Sequence, residues 1–533
     1  MKKIALLLLL TSFVSICAVL HSCSGGVDRA DTSYLEEITI KELGEGFRNG
    51  TLSVRRVTED YLLRIEKLDK SGPMLNSIIS VNPDALKIAE ELERELKEGN
   101  DRGPLHGIPV ILKDNIDSKD SMPTTAGATV LMHSFPGRDS RVAELLREAG
   151  AIIIGKSNLS EWANFRGNLS SSGWSGVGGQ TRNPYVTDRN PCGSSSGSGV
   201  AVAANLCAFA IGTETNGSIV CPSNNNGIVG LKPTVGLISR SGIIPISFTQ
   251  DTPGPMTRSV EDAAIVLGVL AAIDSSDSKT LNPEARFIND YSVYLNKDAL
   301  KGKRIGLLKN ISGFHFKVDS VMNDAVAFME KAGAEIIEIN YPLGSGVSAA
   351  SFQVMLYEFK NGLESYFASL GEGAPVKTLE ELIEFNREDS VELRFFDQQL
   401  LIMAAQKGSL EEDEYKRSLA HMQKMTREEG IDKVMRDNKL DALMAPTGGP
   451  AWKTDLINGD NFLGSSSSYA AISGYPNITV PMGFIGDLPV GISFFGRAWS
   501  EAELLAIAYS FEQGTNHRRA PNYLNSFRFR KRR

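Results

Sequence analysis

Histidine is scarce in this chain, with six among 533 residues. His21 falls in a leader-like N-terminus, and none of the others stands in a strong motif downstream of a candidate nucleophile. A hydrolase of the Ser–Asp–His kind needs a placed imidazole, so that chemistry is disfavoured. Cysteine is scarce too, at five residues, and the absence of any CxxC pair leaves no sign of a zinc or other dedicated metal site. Cys17 and Cys23 belong to the N-terminal segment. Cys192, Cys207 and Cys221 remain, an odd number that permits at most one disulfide. A thiol nucleophile at Cys192 or Cys221 is disfavoured, because neither has a histidine in its motif and a free cysteine is ordinarily a small packed hydrophobe. Positive charge is not concentrated on any face and the net charge is −8, which argues against nucleic acid as a partner. The exception is the C-terminal RFRKRR (528–533), read as part of a solvated basic tail over 521–533, with anionic lipid headgroups as the alternative contact. Internal repeats and long low-complexity tracts are absent. Apolar content of 42% with 23% charged residues is that of an ordinary globular protein.

The N-terminus reads as a targeting segment. Lys2 and Lys3 precede an apolar stretch over 4–20, and Leu20-His21-Ser22-Cys23 resembles a bacterial lipobox. This predicts a signal peptide over 1–22, lipidation of Cys23, and a polar tether over 23–33. Several acyl chains on one residue would hold the protein firmly at the bacterial cell envelope, periplasmic or outward-facing, since each buried methylene adds about 0.8 kcal/mol. The rival reading is an uncleaved anchor, for which the apolar stretch is just short of a usual span.

Beyond residue 33 the apolar pattern predicts helices over 34–66 and 83–98. GIPVIL (107–112) and AIIIG (151–155) read as buried strands, with a helix over 140–150 feeding the second and ending at Gly150. VAVAANLCAFAIG (200–212) starts as a helix of small residues and finishes as a strand. A polar connection over 275–300 leads to a β-α-β unit at 303–309, 320–332 and 334–340. Charged helices follow over 350–440, then strand and loop at 441–447 and 475–483. The expected class is α/β, a mixed central β-sheet with helices on both faces.

The most informative stretch is PCGSSSGSGVAVAANLCAFAIGTETNGSIVCP (191–222). Two Gly- and Ser-rich turns, 193–198 and 212–218, are joined by an apolar run. Glycine lets the backbone amides of such turns point inward at a ligand, and small hydroxyls beside free amides supply a nucleophile and an oxyanion hole for acyl transfer. With no histidine nearby, Lys113 is the candidate base. It follows five residues that should be buried, Ile108 to Leu112, and burial lowers an ammonium pKa toward the range of a general base. Three other patterns are read as coincidences. Gly150 to Ser157 fits the P-loop expression, but its middle is the predicted strand. Gly193 to Gly197 fits a nucleophile elbow, but a polar, proline-broken segment precedes it. Ser276-Asp-Ser-Lys279 lies in a polar loop.

These motifs resemble the amidase signature family. GIPVILKDN (107–115), TTAGA (124–128), IIIGKSNLSEWA (152–163), GGQTRNPY (178–185), the 191–222 stretch, GLKPTVGLISRSG (230–242) and DTPGPMTRSVEDAA (251–264) stand in the family's order. SEWANFRG (160–167), SGWSGVGGQTRNP (172–184) and GTETNGSIVCP (212–222) look most like the bacterial peptide amidase branch. The resemblance spans 34–520, taken as one amidase signature domain. It implies a Ser–cis-Ser–Lys triad, with Ser218 as nucleophile, Ser194 as the cis serine and Lys113 as base. It also implies an oxyanion hole at the backbone amides of Thr215, Asn216, Gly217 and Ser218. Ser195, Ser196 and Ser198 are expected to support the turn. Asn216 departs from the family's usual Gly and from the Asp of the peptide amidase branch, and Cys192 replaces a Gly as in that branch. The implied activity is hydrolysis of carboxamides, C-terminal amides of peptides above all, with release of ammonia and no cofactor. The expected partners are a small-molecule or short-peptide amide and, through Cys23, the membrane. Trp174, Tyr357 and Phe359 are expected on the acyl side. The rival readings are a general aliphatic or aryl amidase, the A-type subunit of an amidotransferase, and an inactive ligand-binding lipoprotein.

Overall fold

Short runs of apolar and β-branched residues become the strands of a single large sheet. The computed structural model describes residues 31–527, so the leader, Cys23 and RFRKRR (528–533) lie outside the described residues. The chain divides into a short N-terminal unit ending at Glu36 and a body from Glu37 onward. The described part of the first holds a 3-10 turn at Ser33–Leu35. No helix among the described residues is long and apolar enough to cross a membrane.

In chain order the strands are β1 (Ile78–Val81), β2 (Pro109–Lys113), β3 (Ile152–Ser157), β4 (Trp174–Ser175), β5 (Gly179–Gln180), β6 (Phe209–Glu214), β7 (Val229–Lys232), β8 (Thr252–Thr257), β9 (Arg304–Leu308), β10 (Glu335–Ile339), β11 (Ala442–Pro446), β12 (Asn477–Ile485) and β13 (Leu488–Phe495). β4 and β5 form a two-stranded ribbon, and the other 11 make one sheet in the order β1-β3-β2-β6-β8-β7-β12-β13-β11-β9-β10. The sheet is mixed. β2 runs parallel to both β3 and β6, whereas β6 and β8 are antiparallel. With helices on both faces, this is the expected α/β architecture.

Local chemistry accounts for the boundaries. Thr39 and Glu42 form a capping box at the helix Ile40–Asn49, and Ser140 caps Arg141–Glu148 by accepting the Ala143 amide. The sequence 34–66 reads as one helical stretch, yet the chain breaks into Ile40–Asn49 and Val54–Arg64 because Gly50 adopts a left-handed conformation and Ser53 caps a new start. The P-loop look-alike is indeed strand β3, fully buried. The run 334–340 is β10, at the edge of the sheet, while β13 and the helix Glu501–Thr515 carry no signal that the sequence reading used.

The feature that positions the site is the pairing of β2 with β6, in register at Leu112 and Ile211. Both strands end at the same edge, so Lys113 and Glu214 close neighbouring parallel strands. In α/β sheets that edge, outside the carboxyl ends of the strands, is where crevices form. The helix Ser196–Ala203 packs on β2, β3, β6 and β8 and is buried throughout. Its run of small residues is a packing requirement. A Cβ on Gly197 would come within 2.2 Å of the Ser77 carbonyl oxygen and 2.5 Å of the Asn158 carbonyl oxygen.

Candidate active site

Lys113, the last residue of β2, is completely buried. Its Nζ donates to Ser194 Oγ at 2.7 Å, to Thr213 Oγ1 at 2.8 Å and to the Thr213 carbonyl at 3.2 Å. Burial pulls this ammonium down to about 7, against the opposing pull of the Asp251 and Glu214 carboxylates. An amine held this way spends a good part of its time neutral near pH 7, which suits a base. Asn115, two residues on, donates from Nδ2 to Thr213 Oγ1 at 3.1 Å and so orients the hydroxyl that holds Lys113. Neither Thr213 nor Asn115 was singled out from the sequence. The available signal was position, since each lies within two residues of a candidate site residue on an adjacent strand end.

Ser194 is fully buried, and the Gly193–Ser194 peptide bond is cis. Its carbonyl accepts the Ser160 amide at 3.1 Å. Ser195 ties the two turns together: its amide donates to the Ser218 carbonyl at 3.1 Å, and its Oγ donates to the Thr213 carbonyl at 3.1 Å while accepting the Thr213 amide at 3.2 Å. Ser196 Oγ donates to the Cys192 carbonyl at 2.6 Å, and Ser198 Oγ pairs with Ser157 Oγ at 2.8 Å. All three serines thus brace the turn or the helix behind it, each through a different bond.

The second turn leaves β6 at Glu214. Gly217 sits at φ +85°, a left-handed conformation that only glycine adopts freely. Ser218 is 7% exposed, and the amides of Asn216, Gly217 and Ser218 donate to no other group among the described residues. Such unpaired amides on one turn are the donors that a developing oxyanion requires. Thr215 Oγ1 donates to Asp251 Oδ1 at 2.6 Å, fixing the start of the turn. Asn216 is exposed; its Oδ1 accepts Ser467 Oγ at 2.8 Å and its Nδ2 donates to Ser468 Oγ at 3.1 Å. The departure from Gly at this position therefore docks the turn onto the helix Ser467–Ser473.

Cys192 and Cys221 are joined as a disulfide, with Cα atoms 5.9 Å apart, while Cys207 stays a free buried thiol. The packed-hydrophobe reading thus holds for Cys207 alone. The bridge rests against Trp452 and links the turn before Ser194 to the helix after Ser218.

A cavity of about 240 Å³ lies beside the site, lined by Asn115, Thr213, Thr215 and Asp251 on one side and by Ile243, Ile244, Ile246 and Phe248 on another. Trp174, Tyr357 and Phe359 do not line it. Trp174 packs edge-on against Phe395 and Phe396, Tyr357 donates its hydroxyl to Glu412 and Glu414, and Phe359 packs against Phe165 with the rings tilted. Their side chains are committed to the core and to helix contacts. Phe359 comes nearest, bordering a small void next to Asn115.

Comparison with known proteins shows the family. The family model described as Amidase matches residues 56–505. A protein of Arabidopsis thaliana named probable amidase is 38% identical over 508 residues, covering 93% of this chain and 93% of the relative. The A subunit of glutamyl-tRNA(Gln) amidotransferase from Acinetobacter baumannii is 34% identical, covering 90% of this chain and 97% of its own length. Among solved structures, native peptide amidase from Stenotrophomonas maltophilia superposes with a TM-score of 0.87 at 48% identity, covering 91% of this chain and 99% of that one. On these matches, and with the fold they share, the chain belongs to the amidase family and is a hydrolase of carbon–nitrogen bonds.

Proposed function

We propose that this amidase hydrolyses the C-terminal carboxamide of short peptides, using Ser218 as nucleophile, Ser194 as proton relay and Lys113 as base. The observation that carries the reading is the buried amine of Lys113 donating to Ser194 Oγ at 2.7 Å, next to a turn whose amides are unpaired. In this scheme neutral Lys113 takes the Ser194 proton as Ser194 takes that of Ser218. Ser218 Oγ then attacks the amide carbon. The oxyanion is received by the backbone amides of Thr215, Asn216, Gly217 and Ser218, where loss of one donor typically costs about 10²–10³ in rate. The carbon–nitrogen bond breaks, the proton returns through Ser194 to the leaving nitrogen, and ammonia departs. Water then cleaves the acyl-enzyme by the same relay.

The peptide preference is supported by the 48% identity to a peptide amidase and by the apolar wall of the neighbouring cavity, which suits an amino-acid side chain on the acyl part. Binding energy from the remote peptide then raises the rate as well as the affinity. The test is ammonia release from a panel of N-acylated dipeptide amides, free amino-acid amides, acetamide and aryl amides. Peptide amides should lead acetamide by a wide margin, and unamidated peptides should survive intact. Equal efficiency on acetamide, or cleavage inside a free-acid peptide, overturns the choice in favour of a general amidase. We further propose that lipidated Cys23 anchors the enzyme at the cell envelope. This location sets it apart from the tRNA-linked work that the name of the A-subunit relative describes, which belongs where tRNA is.

A further inference from the structure

We propose that Glu161, Arg166 and Glu392 form a buried proton-binding latch, which fastens the segment 389–398 to the turn supporting Ser194 and releases it in alkaline solution. The link to activity rests on the relay role given to Ser194 above. The side chains of all three residues are no more than 1% exposed. Arg166 Nη1 donates to Glu161 Oε1 and, at 2.8 Å, to Glu392 Oε2, so one nitrogen holds two carboxyls. Nη2 donates to the carbonyls of Glu392 and Phe396, the second at 3.3 Å. The guanidinium thus grips both ends of the stretch 392–396. It also lies 5.3 Å from the centre of the Trp174 ring, which packs edge-on against Phe395 and Phe396. Glu392 Oε1 accepts the amide and the hydroxyl of Thr129, each at 2.7 Å, and Glu161 Oε2 accepts the Gly176 amide at 2.8 Å. A Cβ on Gly176 would stand 2.7 Å from Glu392 Oε1 and 3.2 Å from Glu161 Oε2, so the backbone there is pressed against both carboxyls.

One guanidinium against two carboxylates leaves a negative charge in the core, and an uncompensated buried charge is costly. A single proton removes it. Shared between the carboxyls, the proton makes a charge-assisted O–H···O⁻ hydrogen bond and brings the cluster to neutrality. Burial first, and then the Glu392 carboxylate, hold the Glu161 carboxyl well above its ordinary value, against the pull of Arg166. Two other charged groups stand on the packed segment. Asp389 accepts the amides of Val391 and Glu392 and, at 3.2 Å, the Thr129 hydroxyl; Arg394 lies over the Phe395 ring at 5.1 Å. Neither touches Glu161 among the described residues. In the released state each carboxyl meets water and holds a proton less tightly, so rising pH favours release. The latch reaches the site through Ser160, the neighbour of Glu161. Its amide donates to the Ser194 carbonyl at 3.1 Å, and its Oγ accepts the Gly173 amide at 2.9 Å.

Hydrogen exchange of the whole protein, expressed as protection relative to the unfolded rate at each pH, reads the latch without reference to activity. In a scan from about pH 6 to about pH 10, protection of 389–398 and of the Gly176 amide should fall about 10-fold per unit once the shared proton leaves. The kcat for an N-acylated dipeptide amide should fall over the same range. Glu161→Gln is neutral at every pH and should keep both readings level. Unchanged protection in the wild type, or a Glu161→Gln protein that loosens as the wild type does, overturns the latch. Loss of protection with a level kcat overturns its coupling to the site. Should Glu161→Gln fail to fold, Glu392→Gln, which leaves one carboxylate for one guanidinium, decides by the same readings. Near wild-type turnover by Ser194→Ala, by contrast, strikes the relay reading and leaves the protection profile as the wild type has it.

Discussion

At Lys113, burial and neighbouring carboxylates act in opposite directions, and burial wins, bringing the amine to about 7. If this amine is the base, the rate should rise with pH through an acid limb near pH 7 and fall tenfold per unit below it. A profile flat from pH 5 to 9 would sink the assignment. Stability should respond with the sign that linkage demands. The unfolded lysine titrates near 10.5 and the folded one near 7, so between those values the unfolded chain binds more protons and folding strengthens as pH rises. Below pH 7 the cost of the buried ammonium is present in full. Lys113→Met should therefore melt above the wild type at pH 6, and the gap should close by pH 10 in thermal scans. Ser218→Ala should abolish turnover, while Ser194→Ala and Lys113→Ala should each cost several orders of magnitude without adding in combination, since the three would act as one chain. Near wild-type ammonia release by Lys113→Ala at pH 7 is the result that refutes this.

Two short elements carry the site, and each has a specific lock. The disulfide Cys192–Cys221 closes a span of 29 residues between the turn that holds Ser194 and the helix Val220–Asn225. A loop of that length contributes about 3–4 kcal/mol by restricting the unfolded chain. Cys192→Ala/Cys221→Ala, or treatment with a dithiol reductant, should lower the melting temperature by a corresponding amount. Equal melting of reduced and oxidised protein would show that the bridge does not constrain the chain. The helix Ser196–Ala203 is locked differently, by the absence of a side chain at Gly197. Gly197→Ala should destabilise the fold by about 1–3 kcal/mol in denaturant unfolding, because the new methyl must displace backbone oxygens of two neighbouring segments.

Across the whole body, the C-terminal segment returns to the site-bearing half. Arg518 donates to Glu37, to the Tyr185 hydroxyl and to the carbonyls of Ala203 and Gly227. Arg518→Leu leaves two carbonyls unpaired and should cost about 1–3 kcal/mol, measured by thermal unfolding. Localisation belongs to this scale as well. Cys23→Ser should shift the mature protein to the soluble fraction or leave an unprocessed precursor, and a variant that is processed yet stays membrane-bound removes the lipidation proposal.

The sequence by itself determined the class of sheet, the family and the short list of polar residues at its centre. Those are local properties: Ile108 to Leu112 form a run that no solvent-facing strand would carry, and two Gly- and Ser-rich turns flank an apolar stretch too short to separate them. Only the tertiary structure decided what those residues touch. Thr213 and Asn115 hold Lys113 because β2 and β6 are parallel neighbours in register, a pairing between segments about a hundred residues apart that no local pattern encodes. Cys192 finds Cys221 and leaves Cys207 alone because two turns meet at one strand edge while Cys207 lies buried beyond the helix between them. Tyr357 and Phe359 fall in helix contacts for the complementary reason. An aromatic side chain gains most from burial wherever a neighbour offers it area, and that neighbour is set by packing and not by proximity in the chain.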